Sequence, residues 1–411
     1  MTQTPRRGIV ERLRDAHGRR KKRREPTGFQ FAFADRISFL DAAHWDALTD
    51  GATVFSSRAY LAALDDSAPA NVTTRYAIAY RDGAPAVGVA MQLARIAAED
   101  VAPSRDDRDD GLPYAPKLPW RRALRPRVLV CGNLLAWGSH GVRRAPGVSL
   151  AAAWPAVAEA LYRVRSAERW TGQTDFILVK DLAEPDADGV ASLETYSYRP
   201  FETEPDMVID LPAACATLDD YLALFRGKYR KTAKSCLTAI DRGGWRVEEV
   251  RDLGPHAARL HELYLEVHAN ADVRPFTLSP HYLTRVAAAL GESFRCVTVS
   301  KDGAVAGFVT VVKDGTTAVG YYIGYDRAAN ETSPLYFRLL YAAVEASLAM
   351  GCRRISFGRT ALEPKARLGA RPVPLRCWVR HRLPVVNVAL RRWLREIPHD
   401  TAPDRSPFKD D

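Results

Sequence analysis

Side chains that can exchange protons or pair with anions recur between Tyr321 and Lys365. Tyr321 and Tyr322 lie in a predicted strand, where consecutive side chains alternate between the two faces, so one of them should point into a cleft. Asp326, at the end of that strand, could act as a general base. Lys365 lies in a basic loop and could pair with a carboxylate or phosphate. A structural role is the alternative, since tyrosines in strands commonly pack into a core.

Two backbone features near these residues could bind an anion. Ser333 has the side chain of an N-cap and Pro334 suits the first turn of a helix, whose free N–H groups and dipole attract phosphate. An ordinary capped helix is the alternative. Gly358 follows another predicted strand and would let a ligand approach the backbone closely. Arg359 comes next and could bind a carboxylate or phosphate, unless the loop is simply a solvated basic surface.

A predicted helix carries His261 and His268 seven residues apart, so both lie on one face. No third ligand stands at a spacing typical of metal sites, and we predict no bound metal. Substrate recognition at the exit of this helix is the interpretation we keep for His268, Asn270 and Arg274. In the first half of the chain, residues 132–133 and 137–141 are rich in glycine and could line the same cleft or form a plain turn.

The elements that must position these residues occur in two copies. A strand, an Asp-Gly turn and a second strand surround Asp82-Gly83 and again Asp302-Gly303, and the residue numbers differ by 220. An Asp-Gly pair between two apolar strands is typical of a β-hairpin. A helical segment precedes each hairpin and carries Tyr60 in one copy and Tyr282 in the other. We therefore predict an α/β protein with mixed sheets and two tandem homologous lobes, at 31–199 and 200–398, with a basic, disordered tail at 1–30 and a flexible tail at 399–411.

Positive charge is concentrated in two segments of a chain whose formal net charge is +10. Residues 1–26 contain ten Lys or Arg and three acidic residues, and residues 353–395 contain twelve Lys or Arg and one acidic residue. The first segment could touch an anionic membrane surface or RNA, or remain solvated. We expect something anionic to meet the second segment.

Composition argues against several other classes of protein. No apolar stretch is long enough to span a bilayer and the N-terminus lacks the apolar core of a secretory signal, which predicts a cytoplasmic protein. The six cysteines are widely spaced, so we expect reduced, mostly buried thiols. DNA is not an expected partner.

The later motifs together resemble a known family. The order of these motifs resembles the C-terminal lobe of the GNAT-fold FemAB-like acyltransferases, some of which serve peptidoglycan biosynthesis. The motifs are a hairpin, a strand ending at Tyr325-Asp326, an Asn330 to Pro334 stretch, a long helix, a strand ending at Phe357-Gly358 and then Lys365. The resemblance implies transfer of an acyl or aminoacyl group from acyl-CoA, such as acetyl-CoA, or from aminoacyl-tRNA. The acceptor would be an amine or hydroxyl of a small molecule or cell-envelope precursor.

The same resemblance implies roles for individual residues. Acyl transfer to an amine needs a base and donors that stabilise the oxyanion, which are assigned to Tyr322, Asp326 and Lys365. The strand and helix start that hold pantetheine and pyrophosphate in this family correspond to Tyr325, Asn330, Ser333, Leu335, Gly358 and Arg359. No Gly-x-Gly loop precedes the Ser333 helix, which leaves the identity of the cofactor open. No long helical-hairpin arm is evident, which favours acyl-CoA over tRNA. A non-catalytic lobe that binds an anionic partner is the alternative function.

Overall fold

The computed structural model describes residues 26–97, 125–183, 189–271, 274–394, 403 and 405–409. The predicted basic tail therefore lies almost entirely outside the described residues. Within the described part of the chain, none of the helices combines the length and the apolar character that crossing a membrane requires.

Thirteen strands of the described residues form one mixed sheet that spans both lobes. Their order is β1-β2-β3-β4-β6-β13-β7-β12-β11-β10-β9-β8, and β5 pairs with β3. The strands are β1 Gln30–Ala34, β2 Val72–Arg81, β3 Ala84–Arg95, β4 Arg127–Cys131, β5 Val142–Arg144, β6 Phe176–Leu182, β7 Arg199–Asp210, β8 Arg246–Val250, β9 Phe294–Lys301, β10 Ala304–Asp314, β11 Thr317–Tyr325, β12 Arg354–Ser356 and β13 Arg371–His381.

Helices cover both faces of the sheet. They are α1 Ala42–Thr49, α2 Arg58–Ser67, α3 Leu150–Ala167, α4 Leu218–Ala223, α5 Gly227–Arg242, α6 Ala257–His268, α7 Tyr282–Leu290, α8 Arg327–Thr332, α9 Leu335–Ala349, α10 Leu362–Arg367 and α11 Pro384–Trp393. Several begin at side chains that accept backbone N–H bonds, as at Asp41 before α1, Ser57 before α2 and Ser149 before α3.

The two halves of the sheet have the same strand order, read from each outer edge inward. The first lobe, β1-β2-β3-β4-β6-β13, contains one parallel pair, β4 with β6, and the second lobe, β8-β9-β10-β11-β12-β7, contains the equivalent pair, β11 with β12. The two hairpins also turn alike, since Asp82 and Asp302 have φ of 53° and 52° and the following glycines both have φ of 80°. The prediction of two tandem lobes is confirmed.

The first lobe nevertheless takes its last strand from the second half of the chain, which a simple division at residue 200 does not anticipate. The late strand β13 pairs with β6 and completes the first lobe, while β7 pairs with β12 and completes the second. β13 and β7 pair with each other at the centre of the sheet. The first lobe therefore contains a strand from the part of the sequence that we predicted to form the other.

A shared core joins the lobes. The helices α2 and α7, which precede the equivalent hairpins, pack against each other, and their tyrosines Tyr60 and Tyr282 are fully buried with hydroxyl oxygens 3.1 Å apart. Both hydroxyls also bond the hydroxyl of Tyr321 on β11, and the Asn133 amide donates to Tyr60 at 2.7 Å. The residues that the repeat makes equivalent thus meet at the lobe interface.

The end of the chain departs from the flexible tail that we predicted. The ring of Phe408 packs against Tyr221 and Phe225 in the second-lobe core, with ring centroids 6.0 and 5.3 Å away. Backbone bonds fix the segment, since the N–H of Arg226 donates to the Pro407 carbonyl at 2.8 Å and that of Lys409 donates to the Leu224 carbonyl at 2.9 Å. An aromatic side chain supplies enough apolar surface to hold this short segment in place.

Candidate active site

An irregularity in β11 shapes the middle of the second lobe. Thr310 on β10 faces two residues of β11, Tyr321 and Tyr322, which form a β-bulge. The Thr310 hydroxyl accepts the Tyr322 N–H at 2.9 Å and lies 3.2 Å from its carbonyl oxygen. Both rings consequently lie on the face that packs against the first lobe, 4.7 Å apart. Our expectation that the two tyrosines alternate between faces was wrong, because a bulge shifts the alternation by one residue.

Beyond this region β11 and β12 separate. They pair only from Thr317 to Val319, opposite Arg354 to Ser356, and β11 then continues to Tyr325 while β12 ends. The chain leaves β12 through Gly358, which has a left-handed φ of 74°. From Gly320 to Tyr325, β11 therefore has no β12 residue opposite it among the described residues, and we call the space between this unpaired stretch and Gly358 the gap.

The helix start that follows β11 differs from the one the sequence predicts. A short helix, α8, intervenes and is capped by Asp326, whose carboxylate accepts the Ala329 N–H at 2.9 Å. α9 therefore begins at Leu335 with Pro334 as its N-cap, and Ser333 ends α8 instead of capping α9. The Ser333 hydroxyl accepts the Trp245 indole N–H at 3.1 Å. Asn330 caps α9 from a distance, since its side-chain oxygen accepts the Tyr336 N–H at 2.9 Å.

The predicted residues on β11 and after it are engaged in structural contacts. The Tyr322 hydroxyl donates to the Leu135 carbonyl at 3.1 Å, and burial raises the pKa of Tyr322 well above its ordinary value. Asp326 lies 3.7 Å from the Arg259 guanidinium in addition to its cap. Tyr325 packs on Tyr336, with ring centroids 5.5 Å apart.

Lys365 lies at the other side of the gap, in α10, and is only 6% exposed. Its ammonium donates to the Gly358 carbonyl at 3.2 Å. Burial lowers the pKa of Lys365 to about 8, although the nearby carboxylates of Asp206 and Glu204 oppose that change. An amine with this pKa is partly neutral near neutral pH and can accept a proton.

Asp206 is a site residue that sequence reasoning missed. Its carboxylate accepts the Gly358 N–H at 2.9 Å and the Ser356 hydroxyl at 2.6 Å, which fixes the end of β12. Burial raises the pKa of Asp206, while these donors partly oppose the change. No local signal reveals this role, because it depends on the pairing of β7 with β12.

A loop of the first lobe closes one side of the gap. The Trp137 indole N–H donates to the Ser356 hydroxyl at 2.6 Å, and its ring lies so close to Gly358 that a Cβ there would be 3.0 Å away. The same loop supplies the Leu135 carbonyl to Tyr322. The loop therefore contacts both β11 and β12.

The three residues proposed for substrate recognition lie at the exit of α6. His268 Nε2 is 2.8 Å from the Phe276 carbonyl oxygen, and the His268 ring packs on Tyr264, whose own ring lies 5.9 Å from Tyr322. Asn270 and Arg274 are exposed and bond backbone carbonyls of the same helix end. Of the three, His268 has the clearer connection to the β11 tyrosines.

Comparison with known protein families shows which domain contains the strands and side chains described above. Residues 202–366 match the family model of an acetyltransferase (GNAT) domain, from β7 to α10. Residues 202–366 form a GNAT acetyltransferase domain. This GNAT domain contains the separated strands, Asp206, Gly358 and Lys365, and it identifies the protein as an N-acyltransferase.

Solved structures extend the likeness to both lobes. FemX has a TM-score of 0.52 and 12% identity, over 85% of this chain and 96% of FemX. A tandem GNAT protein from the clavulanic acid biosynthesis pathway has a TM-score of 0.49 and 13% identity, over 86% of this chain and 99% of that one. At these identities the likeness to FemX concerns the fold, which is that of FemAB-like tandem GNAT proteins. A search of curated proteins finds no match.

Proposed function

We propose that the protein transfers an acyl group from acyl-CoA, with acetyl-CoA as the simplest donor, to an amine or hydroxyl of a small molecule or cell-envelope precursor. The separation of β11 from β12 within a GNAT domain is the observation that supports this most strongly. The part of β11 that extends beyond its pairing with β12 suits an extended, amide-bearing chain such as pantetheine. The donor would supply an activated thioester.

The residues around the gap fit such a donor. The candidates from the sequence are Tyr325, Asn330, Ser333 and Leu335 on the α9 side and Gly358 and Arg359 on the β12 side. Arg359 is already bonded to Asp181 of the first lobe, so we propose the other five as donor-site residues. Ser333 and Asn330 already bond Trp245 and the Tyr336 N–H, so in this proposal they shape the donor site more than they donate to it.

Among the proposed catalytic residues, Lys365 is best suited to act as the base. Its ammonium is buried, its pKa is near 8 and it lies on the Gly358 carbonyl at the rim of the gap. Tyr322 stays protonated and can orient the Leu135 loop or donate a hydrogen bond. Asp326 caps α8 and lies near Arg259. Asp326→Asn should lower turnover if Asp326 is the base, because Asn keeps the cap but cannot accept the proton. Asp326→Ala should lower stability if Asp326 acts as the cap.

Binding and turnover can be tested in sequence. The wild-type protein is heated with acetyl-CoA, longer acyl-CoAs or aminoacyl-tRNA, and a ligand at about 100 times its Kd should stabilise it by about 2.7 kcal/mol. Hits are then assayed for acyl transfer to amine acceptors, with Lys365→Met as the catalytic control. Failure of every acyl-CoA to bind would contradict the proposal. Binding without turnover of any acceptor would support the non-catalytic alternative.

Aminoacyl-tRNA remains a second donor candidate because of α5. Its exposed face carries Arg230, Lys231, Lys234 and Arg242, for which the described residues provide no ion-pair partner. The helix lies beside the start of α9, since Cys236 Sγ is 3.7 Å from the Pro334 carbonyl. A donor held by this face would bind with an affinity that falls steeply as salt rises.

The cytoplasmic location and membrane contact through the basic tail stay predictions.

A further inference from the structure

A cluster with surplus positive charge lies where the two lobes meet. Asp181, the second-to-last residue of β6, is fully buried, and its carboxylate is shared by two cations. Arg359 Nη2 donates to it at 2.6 Å, and the Lys180 ammonium bonds the same oxygen while also donating to the Ala136 carbonyl at 2.8 Å. These two cations hold the pKa of Asp181 below its ordinary value, against the effect of burial. The formal charges of the three groups sum to +1.

A further cationic side chain lies near this cluster. Arg143 lies nearby, bonded to the Ser56 hydroxyl and the Ser139 carbonyl. Burial, Arg143 and Lys180 together lower the pKa of His140 to about 3, so this imidazole is neutral. Among the residues that the structure describes, Asp181 is the one carboxylate that pairs with Lys180 or Arg359. Within the described residues, Lys180, Arg359 and Asp181 therefore have a net formal charge of +1.

The backbone at this cluster is strained. Five residues other than glycine have left-handed φ angles in the described chain, and two of them are Asp181 itself, at 55°, and Ala361, at 54°, which follows Arg359 by two residues. The others lie in the two hairpin turns or at the end of a 3-10 helix. Left-handed residues other than glycine cost on the order of 1 to 3 kcal/mol and concentrate at ligand sites. The strain is consistent with a loop held in a shape that serves binding.

Arg359 itself is accessible enough to meet a ligand. Its side chain is 23% exposed, and it follows Gly358 directly, beside Trp137 and the gap between β11 and β12. Its guanidinium has five N–H donors in a planar fork, and the bond to Asp181 leaves others available for a carboxylate or phosphate. The neighbouring loop approaches from the first lobe, where the Gly138 N–H is 3.4 Å from Asp181.

We propose that Arg359, held in place by Asp181 of the first lobe, binds a carboxylate or phosphate group of the acceptor substrate. This rests on the proposed function and changes the role of Arg359 from cofactor binding to acceptor recognition. An anionic acceptor would balance the net charge of +1 on these three described groups. It would have to enter between the lobes because Asp181 and Arg359 come from different ones.

Calorimetric titration with inorganic phosphate and with acetyl-CoA tests the site in the whole protein. Arg359→Gln should weaken phosphate binding about tenfold to a hundredfold, as expected for loss of charge-assisted hydrogen bonds, and leave acetyl-CoA affinity within about a factor of two. Arg354→Gln is the matched control, because Arg354 is an exposed arginine on β12 that pairs with the exposed Asp210. It should change neither affinity. Arg359→Lys, which can keep the pair with Asp181, serves if the Gln variant unfolds and should also weaken phosphate binding.

The outcomes separate the sources of the anion. Equal phosphate binding by the wild type and Arg359→Gln, or no binding by the wild type, would overturn the proposal. Competition between phosphate and acetyl-CoA, with both weakened in the variant, would assign Arg359 to the donor and also overturn it. Absence of acetyl-CoA binding by the wild type would contradict the proposed function alone, and phosphate binding through Arg359 would then still support the anion site.

Discussion

Lys365 offers a quantitative test, because its buried ammonium should make stability depend on pH in a defined window. Its pKa is about 8 in the folded protein against an ordinary value of 10.5. Below pH 8 the amine is charged in both states, and the folded state bears the full cost of burying it. Between pH 8 and 10.5 the folded protein releases the proton while the unfolded chain keeps it, so the free energy of unfolding rises with pH. The whole rise amounts to about 3 kcal/mol.

Urea unfolding at intervals from about pH 7 to 10.5 measures this rise in the wild type and in Lys365→Met, which keeps the length of the side chain without its charge. Tyrosine ionisation at high pH affects both proteins alike, so the difference between their curves isolates the lysine. That difference should change by about 3 kcal/mol in favour of the wild type across the window. Lys313→Met is the control, because Lys313 also donates to a carbonyl, that of Met350 at 2.7 Å, but is only half-buried. Parallel curves for the wild type and Lys365→Met would refute the reasoning.

Three further outcomes follow from other contacts. If Lys365 is the base, kcat/KM for acyl transfer should rise as pH increases through about 8, since the neutral amine is the active form, and Lys365→Met should lose that rise. Tyr60→Phe should lower the free energy of unfolding by about 1 to 3 kcal/mol, because the buried Asn133 amide loses its acceptor, whereas Phe at the half-exposed Tyr162 should change little. Phe408→Ala should cost about 2 to 4 kcal/mol in the same urea assay, and an unchanged midpoint would mean that the C-terminal segment does not stabilise the second lobe.

The features that the sequence predicts well are those set by neighbouring residues. The hairpins at Asp82-Gly83 and Asp302-Gly303 depend on a two-residue turn, and both form with nearly identical dihedral angles. The two lobes follow from that repeat. The proximity of Lys365 to Gly358 also follows, because a strand end and the segment just after it stay close together, and the Lys365 ammonium donates to the Gly358 carbonyl.

The features that sequence reasoning missed depend on contacts between distant segments. The bulge at Tyr321-Tyr322 is stabilised by the Thr310 hydroxyl on the adjacent strand, so the sequence of β11 alone does not predict the bulge. Ser333 satisfies the local rule for an N-cap, but Asp326 starts a separate helix just before it and changes the position of the next one. Asp206 acquires its role only when β7 pairs beside β12.

Because β13 lies late in the sequence, the first lobe can complete its sheet only after most of the chain has been synthesised. When the ribosome has released residues up to the end of β6, the first-lobe sheet has an open edge beside that strand, and its final partner β13 is still unmade. Exposed edges of this kind invite pairing with other chains, so a nascent or truncated first lobe would be prone to aggregate. Neither half of the gene therefore encodes a self-sufficient unit. A fragment that ends near residue 200 would lack the strand that completes its sheet, and the remaining fragment would carry that strand without its β6 partner.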